Sequence, residues 1–301
     1  MPKPIYESLL CPGTEVSEEQ LATDRNLLAF ERSVQMLSRR NILKGLALTS
    51  AAGAMGVGLG GRSALAQAAP AAAITDVLNF ALNLEYLEAN FYLLVSTGSG
   101  LSTADMGTGA GKITGAPAKL TLDSATMAVA QALAQDEKNH VELLRNTITT
   151  LGGTPVAQPA INFAAMGAIT TQAQFLATAR QFTALGGSAY CGSAMLLVSN
   201  PTVLTTASQI LGAEGQHGGA LNYLCAAEGV ISLPIDAQDV PPNATTYFTV
   251  DAMNALSPAR NTSQVLGVAY GVSMSTTTTP TAGVTMGGFF PSGVNGAIKS
   301  T

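Results

Sequence analysis

The chain contains two histidines, and both follow a glutamate by three residues. His140 follows Glu137 in "AQDEKNHVELL", and His217 follows Glu214 in "LGAEGQHGGAL". On a helix, this spacing puts carboxylate and imidazole on one face, about one turn apart. The carboxylate can then bridge two metal ions while the imidazole caps one of them. Carboxylate and imidazole together suit iron or manganese.

Four segments with helical periodicity position these groups. The first spans about Ile74 to Val95, with Leu78, Ala81, Glu85, Glu88 and Tyr92 on one stripe. The second spans about Asp123 to Thr150, and the third about Thr171 to Val198. The fourth opens at Asn200-Pro201, an N-cap followed by proline at the first helical position. Helices of this length with one apolar stripe each predict an all-α fold, an antiparallel four-helix bundle. The linker between the second and third helices is long enough to cross the length of the bundle.

Glu85, Glu137, His140, Glu214 and His217 lie on the stripes that face the core. A bare buried carboxylate costs several kcal/mol or shifts its pKa until neutral. A bound cation removes that cost by supplying the opposite charge. The competing reading is a set of Glu-His pairs on a solvated face, and their place on the apolar stripe argues against it. The helices also echo one another. Glu85 precedes Tyr92 by seven residues, and Thr183 precedes Tyr190 by seven. Each tyrosine is a core aromatic whose hydroxyl needs a partner, and Tyr92 and Tyr190 are candidates to bond the metal carboxylates.

The rest of the chain narrows the function class. Of its 301 residues only 11% are charged, with a net charge of −5, which fits neither a nucleic-acid binder nor a disordered acidic tail. Cys11, Cys191 and Cys225 form no C-x-x-C pair. In an antiparallel bundle Cys191 and Cys225 fall on opposite sides of the site, which argues against a disulfide between them. "SRRNILK" at 38–44, a Gly/Ala-rich apolar stretch and "SALAQAAP" resemble a twin-arginine (Tat) export signal, with cleavage after Ala66. Such a signal implies passage through the Tat translocase to the periplasm or beyond. After Gly229 the sequence turns rich in Pro, Thr, Asn and Gly, with one helical candidate near Ser263 to Tyr270. The expected organisation is an export segment over 1–66, a bundle over 67–229 and a C-terminal extension over 230–301 packed on the bundle.

With these residues in place, the chain resembles the ferritin-like superfamily, and more closely its desiccation-related members. The resemblance is carried by "LNFALNLEYLEANFY", "DEKNHVELL", "GGSAYCGSA", "ILGAEGQHGGALNYL" and, in the tail, "SPARNTSQVLGVAYG" and "GGFFPSGVNG". It implies a ferritin-like bundle with Glu85 as a terminal ligand, Glu137 and Glu214 as bridging or chelating carboxylates, and His140 and His217 as nitrogen ligands. The metal would be iron, in a di-iron or mononuclear site, or manganese, and the reaction partner a small oxidant such as O2 or peroxide. The departure is Thr183, where a fully ligated di-iron member carries glutamate. Glu88, one turn from Glu85, is a substitute from a different helix. A structural stress protein with a degenerate site is the alternative reading.

Overall fold

The computed structural model describes residues 73–271 and 279–301. The expected export segment over 1–66 and Cys11 lie outside the described residues. Four long helices form the bundle: α1 (Ile74–Thr97), α2 (Ser124–Thr150), α3 (Gln172–Ser193) and α4 (Pro201–Ala227). Their starts follow local chemistry. The Asp123 side chain accepts the Thr126 N–H, Thr171 and Gln174 make a reciprocal capping box, and Asn200 accepts the Val203 N–H ahead of Pro201. α1 ends at Gly98, whose left-handed φ of 89° lets its N–H turn back to the Leu94 carbonyl. The α-helix expected to reach Val198 stops at Ser193 and tightens into a 3-10 turn over Ala194–Leu197. That tighter winding reverses the chain within the few residues left before Asn200.

Side-chain bonds fix the helix directions. Arg145 on α2 meets Tyr86 on α1, and Asn79 near the start of α1 meets Thr154 just beyond the end of α2, so these two helices are antiparallel. α3 and α4 are antiparallel as well, since Cys225 near the end of α4 reaches the Leu176 carbonyl near the start of α3. α2 and α3 run parallel, because Gln172 at the start of α3 bonds Asp123 at the start of α2. Their connection must therefore travel the length of the bundle. It does so along α1: Asn79 holds the Val156 N–H, Asn90 holds buried Gln158, and Phe163 packs on Phe91. A two-residue parallel pairing, β1 (Ile113–Thr114) with β2 (Ile161–Asn162), ties this crossover to the α1–α2 loop. That loop also contains a single helical turn, Thr103–Met106.

The core is aromatic at one end. Phe91 contacts Phe163, Phe175 and Phe182 with ring centroids 5.0–5.8 Å apart. The extension closes over α3. Its helix α5 (Thr262–Ala269) contributes the buried Val265 and Leu266, and Phe289 packs edge-on against Phe182 at 5.0 Å. Two buried ion pairs hold the segment 232–260: Arg180 with Asp239, and Arg260 with Asp236. Backbone contact is close, since the Arg260 N–H donates to the Ser188 carbonyl. A Cβ at Gly192 would sit 1.9 Å from the Arg260 oxygen, so the tail reaches that surface only because residue 192 is glycine. Both described cysteines are free thiols. Among the described residues no helix is long and apolar enough to cross a membrane.

Candidate metal centre

All five residues singled out by spacing are buried in the bundle, between 0% and 9% exposed. α1 supplies Glu85, α2 supplies Glu137 and His140, and α4 supplies Glu214 and His217. Ligand atoms of Glu85, Glu137, His140 and Glu214 lie within 4.8 Å of one another. His217 stands outside this tightest group but faces two of the same carboxylates. Its Nδ1 is 3.0 Å from Glu137 Oε1 and 3.7 Å from Glu214 Oε1. His140 Nδ1 mirrors it, 3.1 Å from Glu137 Oε2, 3.4 Å from Glu85 Oε2 and 3.9 Å from Glu214 Oε1. Glu137 thus presents one oxygen to each imidazole.

The neighbours of these groups hold them in place. The Tyr190 hydroxyl donates to Glu85 Oε1. Tyr92 lies 3.0 Å from the Thr183 hydroxyl and 3.4 Å from Glu88 Oε2. The seven-residue echo in the sequence is thus a crossed pair in space: each tyrosine reaches the residue at the other's partner position. His217 Nε2 lies 3.1 Å from Asp136 Oδ2 while Nδ1 faces the carboxylates, so a metal that took Nδ1 would leave the ring's remaining proton on Nε2 toward Asp136. Sequence reasoning passed over Asp136. The signal was there, since it precedes Glu137 and half of it is exposed at the rim of the site.

Electrostatics shows what this arrangement lacks. Burial, then the Glu214, Glu137 and Glu85 carboxylates, push the Glu88 carboxyl well above its usual range. Burial and then Glu137 push Glu214 up to about 7, and burial and then Glu85 raise Glu137. Burial works against charge on both imidazoles, yet the carboxylates prevail. The adjacent Glu137 and Glu85 carboxylates carry His140 up to about 11, and the adjacent Glu137 and Glu214 carboxylates carry His217 up to about 10. Even with both imidazoles charged, four acids share one buried pocket with too little positive charge.

Hydrogen bonding makes the same point atom by atom. Among the described residues, seven buried side-chain polar atoms find no hydrogen-bond partner, and four of them converge here: Glu85 Oε2, Glu137 Oε1, Glu214 Oε2 and His217 Nδ1. Each such atom costs about 1–3 kcal/mol if left unsatisfied. The three carboxylate oxygens are lone-pair donors of the kind that bind a hard or borderline cation, and His217 Nδ1 becomes one when a metal displaces its proton. The donor set therefore fits a metal ion.

A cavity of about 170 Å³ reaches this cluster from the side of the extension. Thr183 and Glu214 border it, Gly187, Gly215 and Gly218 widen it, and Phe248 of the extension lines its outer side. A glycine in a helix interior costs up to about 1 kcal/mol against alanine, and at these positions the missing side chains leave open volume beside Glu214.

A family model described as the ferritin-like domain matches residues 73–227, just over half of the chain and all four bundle helices. No curated protein matches the chain. Four helices with a length-spanning crossover, a buried carboxylate–histidine cluster at their centre and this match lead to one assignment: the chain belongs to the ferritin-like domain family.

Proposed function

We propose that the protein is an exported ferritin-like metalloprotein whose Glu/His cluster holds iron or manganese and meets a small oxidant, O2 or peroxide, in a stress- or desiccation-linked role. The observation that carries the reading is the convergence of four partnerless polar atoms within one buried acidic cluster. A redox-active ion held there would supply electrons to the oxidant. The chain's own residues do the rest. Glu137 and Glu214 stand between the two imidazoles and would hold the metal from α2 and α4. Tyr190 orients Glu85, and Asp136 faces Nε2 of His217. The glycine-lined cavity gives a small molecule a route to Glu214.

Purified, folded protein loaded anaerobically with Fe(II), and separately with Mn(II), is expected to retain at least one equivalent by plasma mass spectrometry. Less than a tenth of an equivalent of either would refute the reading and leave a structural bundle in its place. The twin-arginine segment supports export as a folded protein. Replacing Arg39 and Arg40 by lysine should retain the chain in the cytoplasm on fractionation; unchanged export would remove that part of the proposal.

A further inference from the structure

The weak point of the ligand set is Thr183, where α3 offers a hydroxyl in place of a carboxylate. We propose that Glu88 is the fourth carboxylate ligand of the centre, delivered from α1 into the corner that Thr183 leaves open. This rests on the metal-site reading above, and three independent features carry it.

The first is the crossed tyrosine pair. Tyr190 bonds Glu85, the acid on the His140 side. Its counterpart Tyr92 bonds Thr183, the position equivalent to Glu85, and extends to Glu88 Oε2 at 3.4 Å. Glu88 thus receives from Tyr92 the contact that Glu85 receives from Tyr190.

The second is the space Glu88 occupies. Gly186 lies one turn beyond Thr183 on α3, and a Cβ built there would be 2.5 Å from Glu88 Oε1 and 3.4 Å from Glu214 Oε2. The carboxylate reaches across the bundle and rests over the bare backbone of α3. It borders the same space as Glu214 Oε2, one of the partnerless atoms. Any side chain at residue 186 would displace it.

The third is the distribution of the partnerless atoms. Glu85 Oε2 belongs with His140, while Glu137 Oε1 and His217 Nδ1 face each other at 3.0 Å. With Glu214 Oε2, these two define a second set of donors that lacks only a terminal carboxylate. Glu88, 5% exposed and sharing with Glu214 Oε2 the space over Gly186, supplies it. Four carboxylates then balance two divalent ions, and the charge excess left by Thr183 disappears.

The test is the stoichiometry and affinity of Mn(II) and anaerobic Fe(II), by calorimetric titration and plasma mass spectrometry, on the full mature chain. The wild type is expected to bind two equivalents. Glu88→Gln should keep one and weaken the other at least tenfold. Gly186→Ala, which displaces Glu88 without altering it, should do the same. Glu88→Gln combined with Thr183→Glu should restore the second equivalent. Circular dichroism confirms that each variant is folded. Two equivalents at wild-type affinity in folded Glu88→Gln and Gly186→Ala would overturn the role of Glu88 and leave the metal site standing. A wild type that binds no metal would overturn the site itself.

Discussion

Asp239→Asn tests how the extension is held over the centre. Arg180 is 1% exposed and gives Nη1 to Asp239 Oδ1 at 2.8 Å and Nη2 to Oδ2 at 2.7 Å. Its Nε donates to the Ser232 hydroxyl at 2.9 Å, and Asp239 Oδ2 also accepts the Ile235 N–H at 2.9 Å. The amide removes the charge and turns an NH2 group toward the guanidinium in either orientation, and in one of them toward the Ile235 N–H as well. Breaking one side of a buried ion pair costs about 3–5 kcal/mol, because the remaining charge stays buried. For a domain of this size each kcal/mol is worth about 2–4 °C, so the melting temperature should fall by roughly 6–20 °C. The assay is thermal unfolding followed by circular dichroism, with hydrogen exchange at the Ile235 amide reporting on the clip itself. Replacing both partners, Arg180→Leu with Asp239→Leu, should recover most of the loss, since no charge is then stranded. The reasoning fails if Asp239→Asn melts within about 1 °C of the wild type with unchanged protection at Ile235.

Two further outcomes follow from charge and packing. Glu214 titrates at about 7 in the folded chain, above the ordinary 4.5, chiefly through burial. Its contribution to stability is complete below the ordinary value and is lost as pH rises through about 7, on the order of 3 kcal/mol from the size of the shift. Glu88 and Glu137 shift in the same direction, while the imidazoles keep their charge until about 10 and 11. Metal-free protein should therefore melt lower at pH 8 than at pH 5, and Mn(II) should flatten or reverse the trend; a melting temperature that rises over this range without metal would contradict the electrostatics. Gly192→Ala should destabilise by several kcal/mol, because the added Cβ meets Arg260 backbone at 1.9 Å. Gly212→Ala, with nothing within 4 Å of the added Cβ, should instead stabilise by up to about 1 kcal/mol in the same melts.

Much of the bundle was legible because its signals are local. Asn200-Pro201 starts α4 wherever the rest of the chain lies, and Asp123 starts α2 by accepting a hydrogen bond three residues on. Glu137 and His140 share a face through helix geometry alone. The crossed tyrosines were half visible: the seven-residue repeat showed in sequence, but that each tyrosine bonds the other helix's residue depends on the register between α1 and α3. Glu88 was ambiguous for the same reason, since its reach over Gly186 is a relation between helices with no trace in either one. Nothing local marks Arg180 and Arg260 as buried, and only the path of the extension sets them against Asp239 and Asp236.

The acidic residues of the centre are unevenly shared between the two halves of the bundle. The α1–α2 hairpin carries Glu85, Glu88 and Glu137 with His140, while the α3–α4 hairpin brings only Glu214 and His217. The amino-terminal half is synthesised first, and it holds three acids and an imidazole before its partner exists. The second hairpin adds one acid and one imidazole to that set. A cation held at the seam would therefore lean on the first hairpin for most of its compensating charge, and the α3–α4 pair would close the set rather than form it.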